Sequence, residues 1–134
     1  MGFYLVSAYF QHCERIEPYL QHIDSLLRPL QGKHIILCMD SNANSVVWNS
    51  KHTDLKGEAL EELISQHQTA NRDSKTCTFD NIHGQDNSDV TLASSSCYRK
   101  LTDWTVHSGL TTSDHNLITF NIAIDSIGIT SKKQ

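Results

Sequence analysis

The stretch His34-Ile35-Ile36-Leu37-Cys38-Met39-Asp40-Ser41-Asn42-Ala43-Asn44 decides the fold, because an apolar run passes directly into a polar cluster. A short apolar run of this kind is typical of a β-strand that is buried on both faces. The cluster after it is rich in the residues that favour turns. A strand that ends in carboxylate and amide groups presents them at a sheet edge, where α/β proteins commonly place their sites.

The residues before this strand predict another strand and a helix. Phe3 to Phe10 contains almost no polar residue, which indicates a strand that is buried on both sides. From Glu14 to Arg28, apolar residues recur at three- and four-residue steps, as in an amphipathic helix that ends near Pro29 and Gly32. The order strand, helix, strand predicts an α/β unit.

The residues after the central stretch predict a second helix and then mostly β-structure. Gly57 precedes a helix from Glu58 to His67, in which one face is formed by Leu60, Leu63, Ile64 and His67. Four later runs have the composition of strands: Thr76 to Phe79, Ser88 to Leu92, Asp103 to Val106 and Leu117 to Ile122. We predict one mixed α/β unit over residues 1–125 with two main helices and about six strands. A tail over 126–134 follows, and its end, Ser131 to Gln134, is predicted to be disordered.

Composition excludes several classes of protein. The 134 residues are 38% hydrophobic and 19% charged, which is ordinary for a globular domain. The net charge is −4 and no basic stripe is present, so binding to DNA must be local or assisted by a metal. No apolar stretch approaches the ~20 residues of a membrane helix, and Met1 to Val6 does not have the pattern expected of a secretory signal. The irregular spacing of the four cysteines makes a zinc site improbable, and the settings of Cys38 and Cys77 favour burial as small hydrophobes in a reducing compartment over disulfides.

Asp40 and Asn42 leave the end of the central strand two positions apart, so their side chains are expected to project to the same side. A carboxylate and an amide placed in this way can address one ligand. Carboxylate oxygens suit Mg²⁺ or a nucleophilic water. The alternative is an Asx-type turn that closes the strand and has no chemical role.

A second candidate cluster, Ser113 to Asn116, contains Asp114 and His115 just before the last predicted strand. It offers one side chain for a metal and another for a phosphate or a proton, although a solvated loop has the same composition. Asp89 lies within a predicted strand, where a carboxylate is disfavoured unless it has a partner. We expect that partner to be His115, whose pKa the carboxylate would raise. The alternative is an edge strand on which Asp89 faces water.

Each of three aromatic residues could either contact a substrate or fill the core. The Tyr9 hydroxyl could donate to a phosphate oxygen, or its ring could fill the core. Trp48 lies in a polar loop, which favours a surface contact with a substrate, whereas Trp104 lies in a predicted strand, which favours the core.

Taken in order, the motifs resemble a known series that covers nearly the whole chain. It consists of Val6-Ser7-Ala8-Tyr9, Met39-Asp40-Ser41-Asn42-Ala43, Trp48, Asp54, Gly57, Thr78-Phe79, Ser88-Asp89-Val90-Thr91-Leu92 and Ser113-Asp114-His115. The series is similar to that of the endonuclease/exonuclease/phosphatase superfamily, and specifically of the apurinic-type endonuclease domains in insect-like non-LTR retrotransposons.

The resemblance implies a metal-dependent phosphodiesterase that uses Mg²⁺ or Mn²⁺ and nicks target DNA. The nick would leave a 3′-hydroxyl that a downstream reverse transcriptase could extend. In the roles that the resemblance implies, Asp40 orients or deprotonates the attacking water, Asn42 holds that water or a phosphate oxygen, Tyr9 binds the phosphate, His115 stabilises the phosphorane, Asp89 orients His115, and Asp114 binds the metal.

The resemblance also implies that the chain is the C-terminal portion of a four-layer α/β sandwich. The family's early portion supplies an Asn and a metal-binding Glu before the Tyr strand, and no Glu of this chain can be matched to that ligand. We therefore expect weakened metal binding, an exposed apolar face and poor solubility, with a missing N-terminal half-domain as a possible partner. Two alternatives stay open: an inactive truncated remnant, and a superfamily phosphatase or nuclease with another substrate. An active protein is expected inside the cell, in the nucleus.

Overall fold

The computed structural model describes residues 2–73 and 75–123, and these ranges contain eight strands and three α-helices. In chain order the elements are β1 (Tyr4–Tyr9), α1 (Glu17–Leu27), β2 (Ile35–Asp40), α2 (Leu55–Leu63), β3 (Gln68–Thr69), β4 (Phe79–Asn81), β5 (Gly84–Asp86), β6 (Asp89–Ala93), α3 (Ser95–Tyr98), β7 (Leu101–His107) and β8 (Leu117–Ile122). The mixed α/β class is as predicted, and two short strands, β3 and β5, were not foreseen. Short 3-10 turns follow α1 and precede α2.

The main sheet has four strands in the order β1-β2-β6-β3. β1 and β2 are parallel and are connected through α1, whereas β6 pairs antiparallel with both β2 and β3. β4 and β5 form a separate hairpin, and β7 and β8 form an antiparallel pair. The predicted strand–helix–strand unit is therefore confirmed, and its second strand lies inside the sheet.

Alternation along β2 sends its side chains into two cores. Ile35, Leu37 and Met39 pack against α1 and α2 on one face of the sheet. Ile36 and Cys38 belong to the other core, with residues of β7 and β8. Because side chains alternate along a strand, the next residue on this second face is Asp40. The polar end of β2 thus emerges on the side of β7 and β8, away from α1 and α2.

The prediction that β1 is buried on both sides is wrong. β1 is an edge strand of the sheet, and Leu5 and Tyr9 are 65% and 61% exposed. An apolar run predicts burial only when other elements cover the strand, and the described residues leave this part of β1 open. The exposed Leu5 agrees with the apolar face that the resemblance implied.

Two predicted boundaries also need correction. α2 begins at Leu55 rather than Glu58, because the Asp54 carboxylate accepts a hydrogen bond from the Gly57 N–H at 2.7 Å and caps the helix. The predicted strand from Thr76 becomes regular only at Phe79, since the Thr78 N–H donates to the Asn87 side chain.

The longest α-helix in the described ranges, α1, has 11 residues, and none of the helices there is long and apolar enough to cross a membrane. All four cysteines are free thiols, but Cys38 and Cys77, which were predicted to be buried, are only half-buried. The predicted tail, with its disordered end, lies outside the described residues.

Candidate active site

Three of the candidate residues stand side by side across the main sheet. Tyr9 of β1 is opposite Asp40 of β2, and Asp40 is opposite Asp89 of β6. Residues opposite each other in register project to the same face of a sheet. β1 and β2 end at this edge while the antiparallel β6 begins there, so the topology brings together residues that are distant in sequence.

His115 completes the row from the segment that connects β7 to β8. Its Nδ1 lies 2.9 Å from Asp89 Oδ2, and its Nε2 lies 3.4 Å from Asp40 Oδ2. The ring of Phe79 packs edge-on against the imidazole, with 5.1 Å between centroids. The predicted pairing of Asp89 with His115 is confirmed. The edge-strand alternative is wrong, because β6 lies between β2 and β3.

Backbone contacts with β4 and the residue before it fix the position of the His115 ring. The Asp80 N–H donates to the Asp114 carbonyl at 2.8 Å, and the Asn116 N–H donates to the Thr78 carbonyl at 2.8 Å. These two contacts flank His115 on either side. The imidazole is therefore held by main-chain geometry as well as by its carboxylate partners.

The pKa of His115 is raised above its ordinary value. Burial alone would lower it, but the hydrogen bond and charge of Asp89 outweigh that effect, and the charges of Asp40 and Asp114 act in the same direction. The side chain is 38% exposed, so water screens part of this interaction. The imidazolium form is nevertheless favoured, with both N–H groups directed at carboxylates.

Asp40 is a largely buried carboxyl group in this arrangement, with 18% of its side chain exposed. Burial raises the pKa of its carboxyl group and the nearby charge of Asp89 raises it further, while His115 opposes both effects. The Oδ1 atom of Asp40 is buried and has no hydrogen bond of normal length among the described residues, although the Asn42 N–H and the Ser88 hydroxyl lie close enough to the carboxyl group to lower its pKa. A carboxylate oxygen in that condition is available to a ligand, a cation or a water molecule.

The described residues contain one group of side chains with the spacing of a metal site, namely Asp40, Asp89 and His115, whose ligand atoms lie within 4.8 Å of one another. Carboxylate oxygens are the donors that Mg²⁺ and Mn²⁺ prefer, and the buried Asp40 Oδ1 fits a ligand of such an ion. Asp114, the metal ligand implied by the resemblance, does not belong to this group. Its Oδ2 accepts a hydrogen bond from Asn81 Nδ2 at 3.4 Å.

Asn42 does not continue the alternation that the sequence suggested. Its backbone φ is 48°, and its side-chain Nδ2 donates to the Phe10 carbonyl at 2.6 Å. A left-handed residue turns the chain, so Asn42 does not present its amide as the next strand residue would. Its amide nitrogen joins the turn to the end of β1, and its Oδ1 is the remaining polar atom.

Both tryptophans are buried, although the sequence predicted burial only for Trp104. Trp48 was predicted at the surface as a substrate contact, but it is fully buried and its Nε1 donates to the Ala43 carbonyl at 3.2 Å. That prediction is wrong. Trp104 is buried as predicted. The exposed ring of Tyr9 excludes the core-filling alternative for that residue.

Asn71 holds Asp89 in place and was missed in the sequence. Its Nδ2 donates to the Asp89 carbonyl at 2.8 Å, and its Oδ1 accepts from the Thr91 N–H at 2.9 Å. The Thr78 hydroxyl accepts from the Asp89 N–H at 3.3 Å. Asn71 thus extends the pairing of β6 beyond the end of β3. A lone Asn after a short strand carries no signal of such a role.

Known proteins resemble this chain over most of its length. The family model described as "Endonuclease-reverse transcriptase" matches residues 3–119. The Pol polyprotein of type-1 retrotransposable element R1 from Bradysia coprophila is 31% identical over 92% of this chain and 13% of its own length. The putative 115 kDa protein of element R1DM from Drosophila melanogaster is 33% identical over 87% of this chain and 12% of its own length.

The solved endonuclease domain of TRAS1, a telomere-specific non-LTR retrotransposon, superposes with a TM-score of 0.81 at 32% identity. The match covers 87% of this chain and 56% of the TRAS1 chain. The chain therefore spans about half of that solved chain and a small part of the R1 Pol polyprotein and of the R1DM protein. With the family model matched over residues 3–119, the chain belongs to the endonuclease-reverse transcriptase family and carries part of a non-LTR retrotransposon endonuclease domain.

Proposed function

We propose that the domain to which this chain belongs hydrolyses a phosphodiester bond in one strand of DNA and leaves a 3′-hydroxyl. The observation that carries the proposal is the His115 imidazole, which lies between the carboxylates of Asp40 and Asp89 at the exposed end of the sheet. A positioned base and a cationic donor on one edge are what attack on a phosphodiester requires.

Asp40 is the proposed base. Its raised pKa makes the carboxylate a stronger base, and its Oδ1 can accept a hydrogen bond from the attacking water. His115 is the proposed donor to the phosphate. Because Asp89 holds Nδ1, Nε2 is the nitrogen that can exchange its long contact with Asp40 for a phosphate oxygen.

The remaining site residues are proposed to position the substrate. The exposed Tyr9 stands next to Asp40 in register, where its hydroxyl can donate to a phosphate oxygen. Asn42 Oδ1 can accept from the attacking water, since its Nδ2 is engaged by Phe10. Asp114 is proposed to bind a divalent ion because of the family resemblance, although Asp40, rather than Asp114, is grouped in space with the other potential metal ligands. When bound, such an ion supplies positive charge against the phosphate.

The proposed activity implies two partners and a location. One relative is a Pol polyprotein and the matching family model is described as "Endonuclease-reverse transcriptase", which supports a linked reverse transcriptase as the user of the 3′-hydroxyl. A chromosomal DNA target implies a nuclear location. Imaging of a tagged polyprotein tests that location.

A plasmid-nicking assay tests the proposal. Supercoiled plasmid is incubated with Mg²⁺ and either this chain or the chain joined to the segment that its own coding sequence encodes upstream. Asp40→Ala and His115→Ala are expected to lower the nicking rate by at least about 100-fold, as removal of an acid–base group does. His22→Ala, an exposed histidine of α1, is the matched control and is expected to nick normally. A DNA polymerase should extend the nicks without prior phosphatase treatment.

The alternatives predict different outcomes. If the extended chain nicks and this chain alone does not, the chain is a part of the site without activity of its own. If neither nicks DNA at any Mg²⁺ or Mn²⁺ concentration, the proposed function is wrong. Hydrolysis of a phosphoinositide or of RNA in place of DNA would assign another substrate of the superfamily.

A further inference from the structure

Asn44, at the end of the turn that follows β2, uses all of its polar groups in one place. Its N–H and its Nδ2 donate to the two carboxylate oxygens of Asp54, each at 3.2 Å. Its carbonyl accepts from the Asp54 N–H at 3.0 Å. Its Oδ1 accepts from the Ser50 hydroxyl at 3.2 Å. Three of these hydrogen bonds tie Asn44 to Asp54, the residue that caps α2, and the fourth ties it to Ser50.

Gly57 allows this contact to form. It is the third residue of α2, where glycine weakens a helix relative to alanine. A Cβ atom at this position would overlap the carbonyl group of Asn44. The backbone of α2 and the turn therefore touch at Gly57, and any larger residue must push them apart.

The turn between Asp40 and Asn44 is fixed at every intervening residue. The Ser41 N–H and hydroxyl both donate to the Ser88 carbonyl, at 2.8 and 2.9 Å. Asn42 is bound to Phe10, and the Ala43 carbonyl accepts from Trp48. Because each residue of the turn is held by a hydrogen bond, a displacement of Asn44 is expected to move the candidate residues at the end of β2 as well.

We propose that Asn44, Asp54 and Gly57 are positioning residues that set the placement of Asp40 and Asn42, a role that rests on the proposed function for its catalytic consequence. The start of α2 packs behind the turn and holds it in place. None of these three residues touches the substrate. Their effect on the site passes through the rigid segment from Ser41 to Ala43.

Gly57→Ala separates this role from simple helix propensity. Propensity alone predicts that alanine stabilises α2, whereas the overlap with Asn44 predicts a lower thermal midpoint. In two-dimensional NMR, the amide resonances of Asp40 and Asn42 are expected to shift in Gly57→Ala. Two variants of α2 serve as controls: Glu58→Ala, at an exposed neighbour, and Ala59→Gly, which weakens the helix without adding a group against Asn44.

A second set of variants tests the pairing of Asn44 with Asp54. Asp54→Asn keeps the helix cap but places two amide nitrogens face to face, so the same resonances should shift. The double variant Asn44→Asp with Asp54→Asn restores a donor opposite an acceptor and should return them toward their original positions. In a domain that nicks DNA, Gly57→Ala should lower kcat by about 100-fold with little change in KM, because it misplaces the reacting groups.

The outcomes separate the two proposals. If the Asp40 and Asn42 resonances shift in Gly57→Ala and Asp54→Asn but not in the controls, the positioning role is supported even when no protein nicks DNA. In that case only the proposed function fails. A Gly57→Ala protein with a raised thermal midpoint and unchanged Asp40 and Asn42 resonances overturns the positioning role. Equal shifts in Ala59→Gly and Gly57→Ala overturn it as well, because general destabilisation would then explain both.

Discussion

Replacement of Trp48 by alanine tests whether the segment after β2 is held by a buried anchor. Trp48 is fully buried in the core that β2 shares with α1 and α2. Truncation of a buried Trp to Ala typically costs about 3–5 kcal/mol. The lost Nε1–H donor leaves the Ala43 carbonyl, which is also buried, without that partner, and this adds about 1–2 kcal/mol. The expected loss is therefore about 4–7 kcal/mol.

A loss of this size is comparable to the whole stability of many small domains, which is about 5–15 kcal/mol. Trp48→Ala is therefore expected to be largely unfolded. Trp48→Phe is the matched variant, because it keeps an aromatic ring and removes the hydrogen bond to Ala43. Its expected cost is about 1–3 kcal/mol, from the missing bond and from incomplete filling of the indole volume.

Urea unfolding followed by far-ultraviolet circular dichroism measures both variants, and it avoids fluorescence from Trp104. Soluble protein is required, so the extended chain described above is the appropriate sample if the short one aggregates. A Trp48→Ala protein that loses less than about 1 kcal/mol, with an unchanged denaturant dependence, would refute the burial argument. If that variant also lost DNA binding selectively, the surface role expected from the sequence would be the correct one.

Three further predictions concern the site and the open face of the sheet. The pKa of His115 is raised in the folded protein, so the pairing of His115 contributes its full stability below pH 6.5, the ordinary pKa of histidine, and that contribution is lost as the pH rises through the raised pKa. Urea midpoints measured at a series of pH values should therefore fall across that window. Asp89→Asn should flatten this pH profile. Thr78→Val should cost about 1–3 kcal/mol in urea unfolding, because Thr78 is fully buried and its hydroxyl accepts from the Asp89 N–H; a neutral effect would contradict this. Because Leu5 is exposed, Leu5→Ser should change the free energy of unfolding by less than about 0.5 kcal/mol and reduce self-association in sedimentation velocity. Unchanged self-association would mean that another surface mediates it.

The parts of the fold that were predictable are those whose signals are local. The apolar run of β2 and the turn after it need no distant partner to be recognised, and α1 shows its period within its own residues. The pairing of Asp89 with His115 was also predictable, since a carboxylate inside a strand requires compensation and an imidazole is a suitable partner. The chemistry of these two side chains was therefore sufficient to predict that they pair.

The errors arose where burial depends on elements that are far away in sequence. β1 has the composition of a central strand, yet strand order makes it an edge. Trp48 has polar neighbours in sequence, yet the turn folds its ring inward against the helices. The role of Gly57 was hidden for the same reason, because its contact is with Asn44 in space.

The charges at the end of the sheet bear on how a phosphate could approach. Asp40, Asp89 and Asp114 surround one imidazole, so even a protonated His115 leaves the ionised cluster negative. The chain as a whole carries −4 and offers no basic stripe to compensate. Coulomb repulsion therefore opposes a phosphodiester at this edge unless a cation enters with it or Asp40 takes up a proton. The raised pKa of Asp40 fits the second route and its buried Oδ1 fits the first, so charge as well as family resemblance favours a divalent ion in the proposed chemistry.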